Sequence, residues 1–248
     1  MARVGLIQFD ILWEDVEANI ERVERLLDAC DNKDFDLLIL PELWVCGFTM
    51  NLEAHKTFDA GHAAMKDLSQ KYNCPILGGL PRKTDDGQQN RCYLVDGEKS
   101  LSYAKIKAFK FAGEHKKYQP GNDCHRWDVA GFQLSPFVCY DLRFPELPRS
   151  MVPQSNLFTY VANWPEPRIH HWRQLMVSRA LENLSYVIGV NRVGKDGAGL
   201  NYVGASMVVA PDGEVLLDAR DKEGVFAVDI DPAEVARIRQ MWPFLEDI

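Results

Sequence analysis

Long apolar runs are missing from this chain. No stretch approaches the roughly 18 residues that a membrane-spanning helix needs, and the opening MARVGLIQFD is too short for the apolar core of a signal peptide. Surplus positive charge is missing as well. With 28 Lys+Arg against 36 Asp+Glu the net charge is −8, so the basic face that a phosphate-backbone binder needs is not available. These absences predict a soluble cytoplasmic protein with neither a membrane nor a nucleic-acid partner. The six cysteines, Cys30, Cys46, Cys74, Cys92, Cys124 and Cys139, form no CxxC pair and no zinc-type cluster, which predicts separate reduced thiols and no metal site. His170-His171 is the only histidine pair; adjacent residues on a helix point in different directions, so it reads as ordinary helix surface or core. A glycine-rich phosphate loop is lacking too, because Gly194 to Gly199 leads into no helix, and no cofactor is implied. Repeats, low-complexity tracts and Pro/Gly/Ser linkers do not occur.

What is present is 248 residues, 46% of them hydrophobic, enough for one large core and a single domain over residues 1–248. Strand-like and helix-like segments alternate. Val4 to Phe9 reads as a strand, Val16 to Ala29 carries apolar residues at helical spacing, and Leu37-Leu38-Ile39-Leu40 is a buried strand, which together make a βαβ unit. A helix around Ala63 to Lys71 leads to the strand Pro75 to Leu80, which the turn Asp85-Asp86-Gly87 joins to Arg91 to Val95 as a hairpin. The second half restarts the scheme with strands at Phe132 to Cys139 and Leu157 to Ala162, a helix from about Ile169 to Asn183, and a strand at Ser185 to Val190. The hairpin Ser206 to Leu217 turns at Pro211-Asp212-Gly213. Two similar α/β halves follow. Their sheets can stack into a four-layer α-β-β-α sandwich, and periodicity leaves one doubly wound sheet open as the alternative.

Three residues at strand ends carry chemical interest. Cys139 closes an apolar strand just before the charged, helix-starting segment Tyr140 to Glu146, where backbone N–H groups lower a thiol pKa and can hold an oxyanion. Taken alone it reads as a buried structural cysteine. Glu42 follows Leu37 to Pro41, where partial burial would raise a carboxyl towards neutrality and suit it to proton transfer; alone it reads as a cap or loop acid. Lys105 lies in an alternating stretch that puts Tyr103, Lys105 and Lys107 on one face. The five lysines between 105 and 117 read by themselves as a solvated charged segment.

Together these residues resemble the nitrilase, or carbon–nitrogen hydrolase, superfamily. Leu40-Pro41-Glu42, Tyr103-Ala104-Lys105 and Cys139 to Glu146 match its three blocks in chain order. Tyr118-Gln119-Pro120-Gly121, Val161-Ala162-Asn163-Trp164-Pro165, Arg179 to Asn183, Val190 to Gly194 and Gly204-Ala205-Ser206 extend the likeness over nearly the whole chain. The resemblance implies an α-β-β-α sandwich and amide hydrolysis through a thioester. It makes Cys139 the nucleophile, Glu42 the proton carrier, Lys105 and the backbone N–H of Tyr140 the oxyanion partners, and Glu114 a second glutamate orienting the lysine. Many relatives read Lys-x-His-Leu-Phe where this chain has Lys105-Ile106-Lys107-Ala108-Phe109, which bears on the shape or charge of the pocket.

Within the superfamily, GEHxxYxPG and VANWPxPRxxHW look like the bacterial omega-amidase-like branch, which deamidates 2-oxo dicarboxylate monoamides such as 2-oxoglutaramate and 2-oxosuccinamate. The carboxylate of such a substrate calls for an arginine. Arg168 is the stronger candidate, whereas Arg143 reads first as an ion-pair partner of Glu146 or Asp141. Trp44, Phe48, Trp164 and Trp172 are candidate walls of a small pocket, or plain core. Another small-amide or N-carbamoyl hydrolase, or a nitrilase, would share the mechanism. A non-catalytic interaction module is disfavoured by the intact Glu42, Lys105 and Cys139. The resemblance also implies a homodimer or higher homo-oligomer, with dimers formed through the helices after the Cys139 and Asn163 strands.

Overall fold

A computed structural model describes residues 1–247. The chain runs through β1 (Ala2–Gln8), α1 (Val16–Asp28), β2 (Leu37–Ile39), α2 (Phe58–Tyr72), β3 (Ile76–Thr84), β4 (Gly87–Asp96) and β5 (Lys99–Ala104). It continues through β6 (Trp127–Val129), β7 (Phe132–Val138), α3 (Glu146–Ser150), β8 (Leu157–Val161), α4 (Ile169–Asn183), β9 (Tyr186–Val190), β10 (Val193–Lys195), β11 (Asn201–Val203), β12 (Met207–Val209) and β13 (Val215–Asp218), and closes with β14 (Gly224–Ile230) and α5 (Pro232–Met241).

Two six-stranded sheets result, ordered β14-β1-β2-β3-β4-β5 and β13-β12-β9-β8-β7-β6. In each, three parallel strands (β1, β2, β3 and β7, β8, β9) are flanked by antiparallel ones, so the halves are pseudo-symmetric. The uninterrupted apolar run after α1 shows why the layers stack. Leu37 and Ile39 join Leu6 of β1 and Phe137, Phe158 and Tyr160 of the second sheet, in a core that extends to Trp172 and Met176 of α4. Leu38 and Leu40 point the other way, into a core with Val23 and Leu27 of α1 and Met65 and Leu68 of α2. A strand buried on both faces has no polar alternation, because neither face meets water. The molecule is thus the four-layer α-β-β-α sandwich, and the doubly wound alternative is excluded.

The C-terminal segment lies outside the elements read from the sequence. β14 pairs antiparallel with β1 from Ala2↔Ile230 to Gln8↔Gly224, so the last strand completes the first sheet. Asp231 then caps α5 by accepting the Ala233 N–H, with Pro232 in the first turn, where its missing N–H costs nothing. The loop after Val193 folds into the small hairpin β10–β11. The helix-starting segment after Cys139 forms first a short 3-10 turn, Cys139–Arg143, and then the five-residue α3.

Candidate active site

The ends of β2, β5, β7 and β8 converge on one buried cluster. β2 ends at Ile39, the Pro41 carbonyl still accepts the Gly79 N–H at 3.0 Å, and the chain then turns sharply at Leu43, which has a left-handed φ of 46°. That turn presses on β3: a Cβ on Gly79 would lie 2.6 Å from Glu42 Cα and 2.6 Å from Leu43 N, so only glycine admits it. Gly121 plays the same part beside β5, donating its N–H to the Lys105 carbonyl at 2.8 Å, where a Cβ would meet the Ala104 oxygen.

Glu42, Lys105 and Glu114 are almost wholly enclosed. The Lys105 ammonium lies 3.0 Å from Glu42 Oε1 and 3.0 Å from Glu114 Oε1. Asn90 Nδ2 donates to the same two oxygens at 2.7 and 3.2 Å, and Glu114 Oε2 accepts the Phe109 N–H at 2.5 Å. Glu42 Oε2 accepts the Asn163 N–H at 2.8 Å, and Asn163 Nδ2 donates to the Glu42 carbonyl at 2.6 Å. Burial opposes the charge on Lys105, but the Glu114 and Glu42 carboxylates outweigh it and hold the ammonium well above the usual lysine range. The lysine is therefore a fixed cation at neutral pH.

Cys139 has a left-handed φ of 45°, an uncommon conformation for a residue with a side chain, and its Sγ lies 3.8 Å from the Asn163 carbonyl. Burial, then the charge of Glu42, push the thiol well above its ordinary value, against the pull of Lys105. This reverses the lowering expected from a strand-to-helix turn, because desolvation and the carboxylates outweigh the local N–H groups. At neutral pH Cys139 is therefore a neutral thiol, and any attack by its sulfur would require a base to take the proton.

A cavity of about 60 Å³ opens onto Cys139 and Lys105, well below the roughly 300–1,000 Å³ of clefts that take drug-sized ligands. Phe48, Tyr140, Trp164, Arg143 and Arg168 all line it. Arg143 makes no ion pair with Glu146 or Asp141, contrary to the reading favoured above. It stacks on Trp164 with its guanidinium carbon 4.8 Å from the ring centre and bonds His171 Nδ1 at 3.0 Å. Glu146 pairs with Lys107, and Asp141 receives three other donors. Arg168 stacks on Phe109 at 5.3 Å. Among the described residues neither arginine has a carboxylate within salt-bridge reach.

Of the four aromatic candidates, Phe48 and Trp164 line the cavity, while Trp44 and Trp172 take the core alternative, fully buried outside the pocket wall with Trp172 Nε1 bonded to the Ala205 carbonyl at 2.8 Å. The lysines from 105 onwards are not one solvated face, because β5 ends at Ala104 and Lys105 turns inward. Lys107 pairs with Glu146 and does not line the cavity, whereas Phe109 does. Asn90, Phe109, Asn163 and Tyr202 were not singled out from the sequence. Asn163 sits within a matched block, and Asn90 alternates with the inward Cys92 and Leu94, a signal missed because the strand was started at Arg91.

A family model described as carbon-nitrogen hydrolase matches residues 3–240. The chain belongs to the carbon–nitrogen hydrolase family. This hydrolase is 35% identical over 248 residues to omega-amidase YafV of Escherichia coli (strain K12), covering 99% of this chain and 96% of that one. It is 31% identical over 253 residues to 2-oxoglutaramate amidase of Bacillus subtilis (strain 168), covering 99% and 96%. Its backbone follows that of XC1258 from Xanthomonas campestris, a CN-hydrolase superfamily protein with an arsenic adduct in the active site, with a TM-score of 0.93, 31% identity and coverage of 100% and 97%. No helix among the described residues of the hydrolase is long and apolar enough to cross a membrane.

Proposed function

We propose that this carbon–nitrogen hydrolase cleaves the terminal amide of a small carboxylate-bearing substrate, of the 2-oxoglutaramate or 2-oxosuccinamate type, through a cysteine thioester with release of ammonia. The observation that carries the reading is the pair Arg143 and Arg168. Two guanidinium groups without acidic partners among the described residues, held over aromatic rings beside a thiol and a buried ammonium, suit a ligand that brings its own carboxylate. The names of the relatives agree with it.

In the proposed reaction Glu42 takes the proton from Cys139 Sγ as the sulfur attacks the amide carbon. Lys105 and the Tyr140 N–H stabilise the resulting O⁻. The C–N bond then breaks as Glu42 passes its proton to the departing nitrogen, releasing ammonia and leaving a thioester. A water molecule, deprotonated by Glu42, attacks the thioester; the C–S bond breaks and the thiol recovers its proton. Glu114 holds the Lys105 ammonium in place and receives no proton. A dry, prearranged cation is worth most where charge develops, which is why the lysine is buried with both carboxylates. The reading includes one catalytic domain over residues 1–248 and a homodimer, which sedimentation would test.

The deciding experiment measures ammonia released from 2-oxoglutaramate and 2-oxosuccinamate by wild type, Cys139→Ala, Arg143→Ala and Arg168→Ala. Release by wild type, none by Cys139→Ala, and a KM raised on the order of 10-fold or more by loss of an arginine support the proposal. An unchanged KM in both arginine variants refutes the carboxylate site. Ammonia from a nitrile or an N-carbamoyl amine, with none from the oxo-acid amides, refutes the substrate class.

A further inference from the structure

We propose that Asp141 is a positioning residue that sets the spacing between Lys105 and Cys139 by clamping the turns that carry them. The inference rests on the amide-hydrolase reading. Asp141 is fully buried and lies outside both the Lys105 carboxylate pair and the pocket wall. Its Oδ2 accepts the Tyr103 hydroxyl at 2.8 Å and the Val138 N–H at 3.0 Å, while Oδ1 accepts the Lys107 N–H at 2.8 Å. Tyr103 and Lys107 flank Lys105 at two residues on either side, and Val138 immediately precedes Cys139. One carboxylate therefore holds both sides of the lysine and the approach to the nucleophile.

The two turns belong to different sheets, which meet through an apolar core without a shared strand. Apolar packing is non-directional and sets such a distance loosely, whereas charge-assisted hydrogen bonds fix it. The clamp is strongest with the ionised carboxylate, which accepts all three bonds with charge assistance; a proton on Oδ2 would reverse the Tyr103 bond, weaken acceptance from the Val138 N–H and leave only neutral bonds. Burial pushes the Asp141 carboxyl up to about 6, although the Val138 and Lys107 amides, Tyr103 and the charge of Lys105 pull it down. Protonation in mildly acid solution would loosen the clamp. The other ionisable groups facing it are Cys124 before β6 and Tyr160 on β8, with Cys139 on its own turn; His125 meets the Tyr103 ring edge-on at 6.2 Å.

The test follows kcat and KM against pH, and Cys139 alkylation by iodoacetamide read by peptide mass spectrometry, in wild type, Asp141→Asn, Tyr103→Phe and His125→Gln. Asp141→Asn lowers kcat on the order of 100-fold, leaves KM little changed and removes the fall in kcat below about pH 6. Tyr103→Phe removes a bond to the charged form, so the acid limb moves to higher pH; His125→Gln moves nothing. A wild-type kcat or an unmoved acid limb in Asp141→Asn overturns the proposal. If that variant does not fold, an unmoved limb in Tyr103→Phe does so instead. Absence of amide hydrolysis by wild type refutes the substrate reading alone. Alkylation then decides: slower labelling of Cys139, with Cys124 unchanged, supports the clamp, and equal rates overturn it.

Discussion

Replacing Lys105 with methionine keeps the length of the stem and removes the ammonium from between two buried carboxylates. The ammonium is 3.0 Å from each, so Glu42 Oε1 and Glu114 Oε1 lie within about 6 Å of each other. At that distance, with an effective dielectric of about 20, their unscreened repulsion is about 3 kcal/mol. Breaking a buried ion pair from one side costs about 3–5 kcal/mol, and the two figures agree. For a chain of this size that is a fall in Tm on the order of 10 °C. The sign with pH is specific. In wild type the folded-state pKa of Lys105 is raised, so its stabilisation is complete throughout the neutral range and is lost only as pH rises through that high value. In Lys105→Met, burial and repulsion raise a carboxyl above its unfolded value, so the variant loses stability as pH rises through the new value and regains it in acid. Urea denaturation of wild type and variant at pH 5.0, 6.5 and 8.0 measures the difference. The penalty should be largest at pH 8.0 and shrink by about 1.4 kcal/mol per pH unit across the titration. Adding Glu114→Gln should recover about 2–3 kcal/mol at pH 8.0. A penalty independent of pH, with no recovery in the double variant, would refute the account of the cluster as one cation balancing two ionised carboxylates.

Other predictions concern Cys139, the turn after β2 and the pocket. Glu42→Gln removes a charge that pushes the Cys139 thiol up, so iodoacetamide at pH 8 should label Cys139 faster while ammonia release is lost; slower labelling would contradict the electrostatic assignment. Gly79→Ala forces a Cβ onto the Glu42 backbone, and steady-state kinetics should show kcat reduced about 10–100-fold with KM nearly unchanged. Trp172→Ala should cost about 3–5 kcal/mol in urea denaturation without changing KM, whereas Phe48→Ala should raise KM with a smaller loss of stability. A raised KM in Trp172→Ala would return that residue to the pocket wall.

Much of the fold was legible because its signals are local. The apolar runs of β1, β2, β7, β8 and β9 sit between helical or turn sequence, and α4 matches its reading from Ile169 to Asn183. β14 escaped notice because its burial is intermediate along most of its length and its partner, β1, is more than 200 residues away. Glu42, Lys105 and Cys139 were legible through the blocks around them, while the direction of the Cys139 shift was not. A thiol pKa depends on what surrounds the sulfur in space, and Glu42 and Lys105 come from other strands. Arg143 was misread for the same reason. Its nearest acids in sequence, Asp141 and Glu146, are held by Tyr103 and Lys107, which the second sheet meets only after folding.

The sequence by itself determined the family, the order of the elements and the three residue types at strand ends, because periodicity, turn chemistry and matched blocks are carried along the chain. Only the tertiary structure decided that the sheets stack face to face, that Trp44 and Trp172 are core while Phe109 walls the pocket, and that two arginines are left without acids among the described residues. Pairing, desolvation and access are set by neighbours in space. A carboxylate such as Asp141 acquires its part only when strands far apart in the chain bring three donors to it.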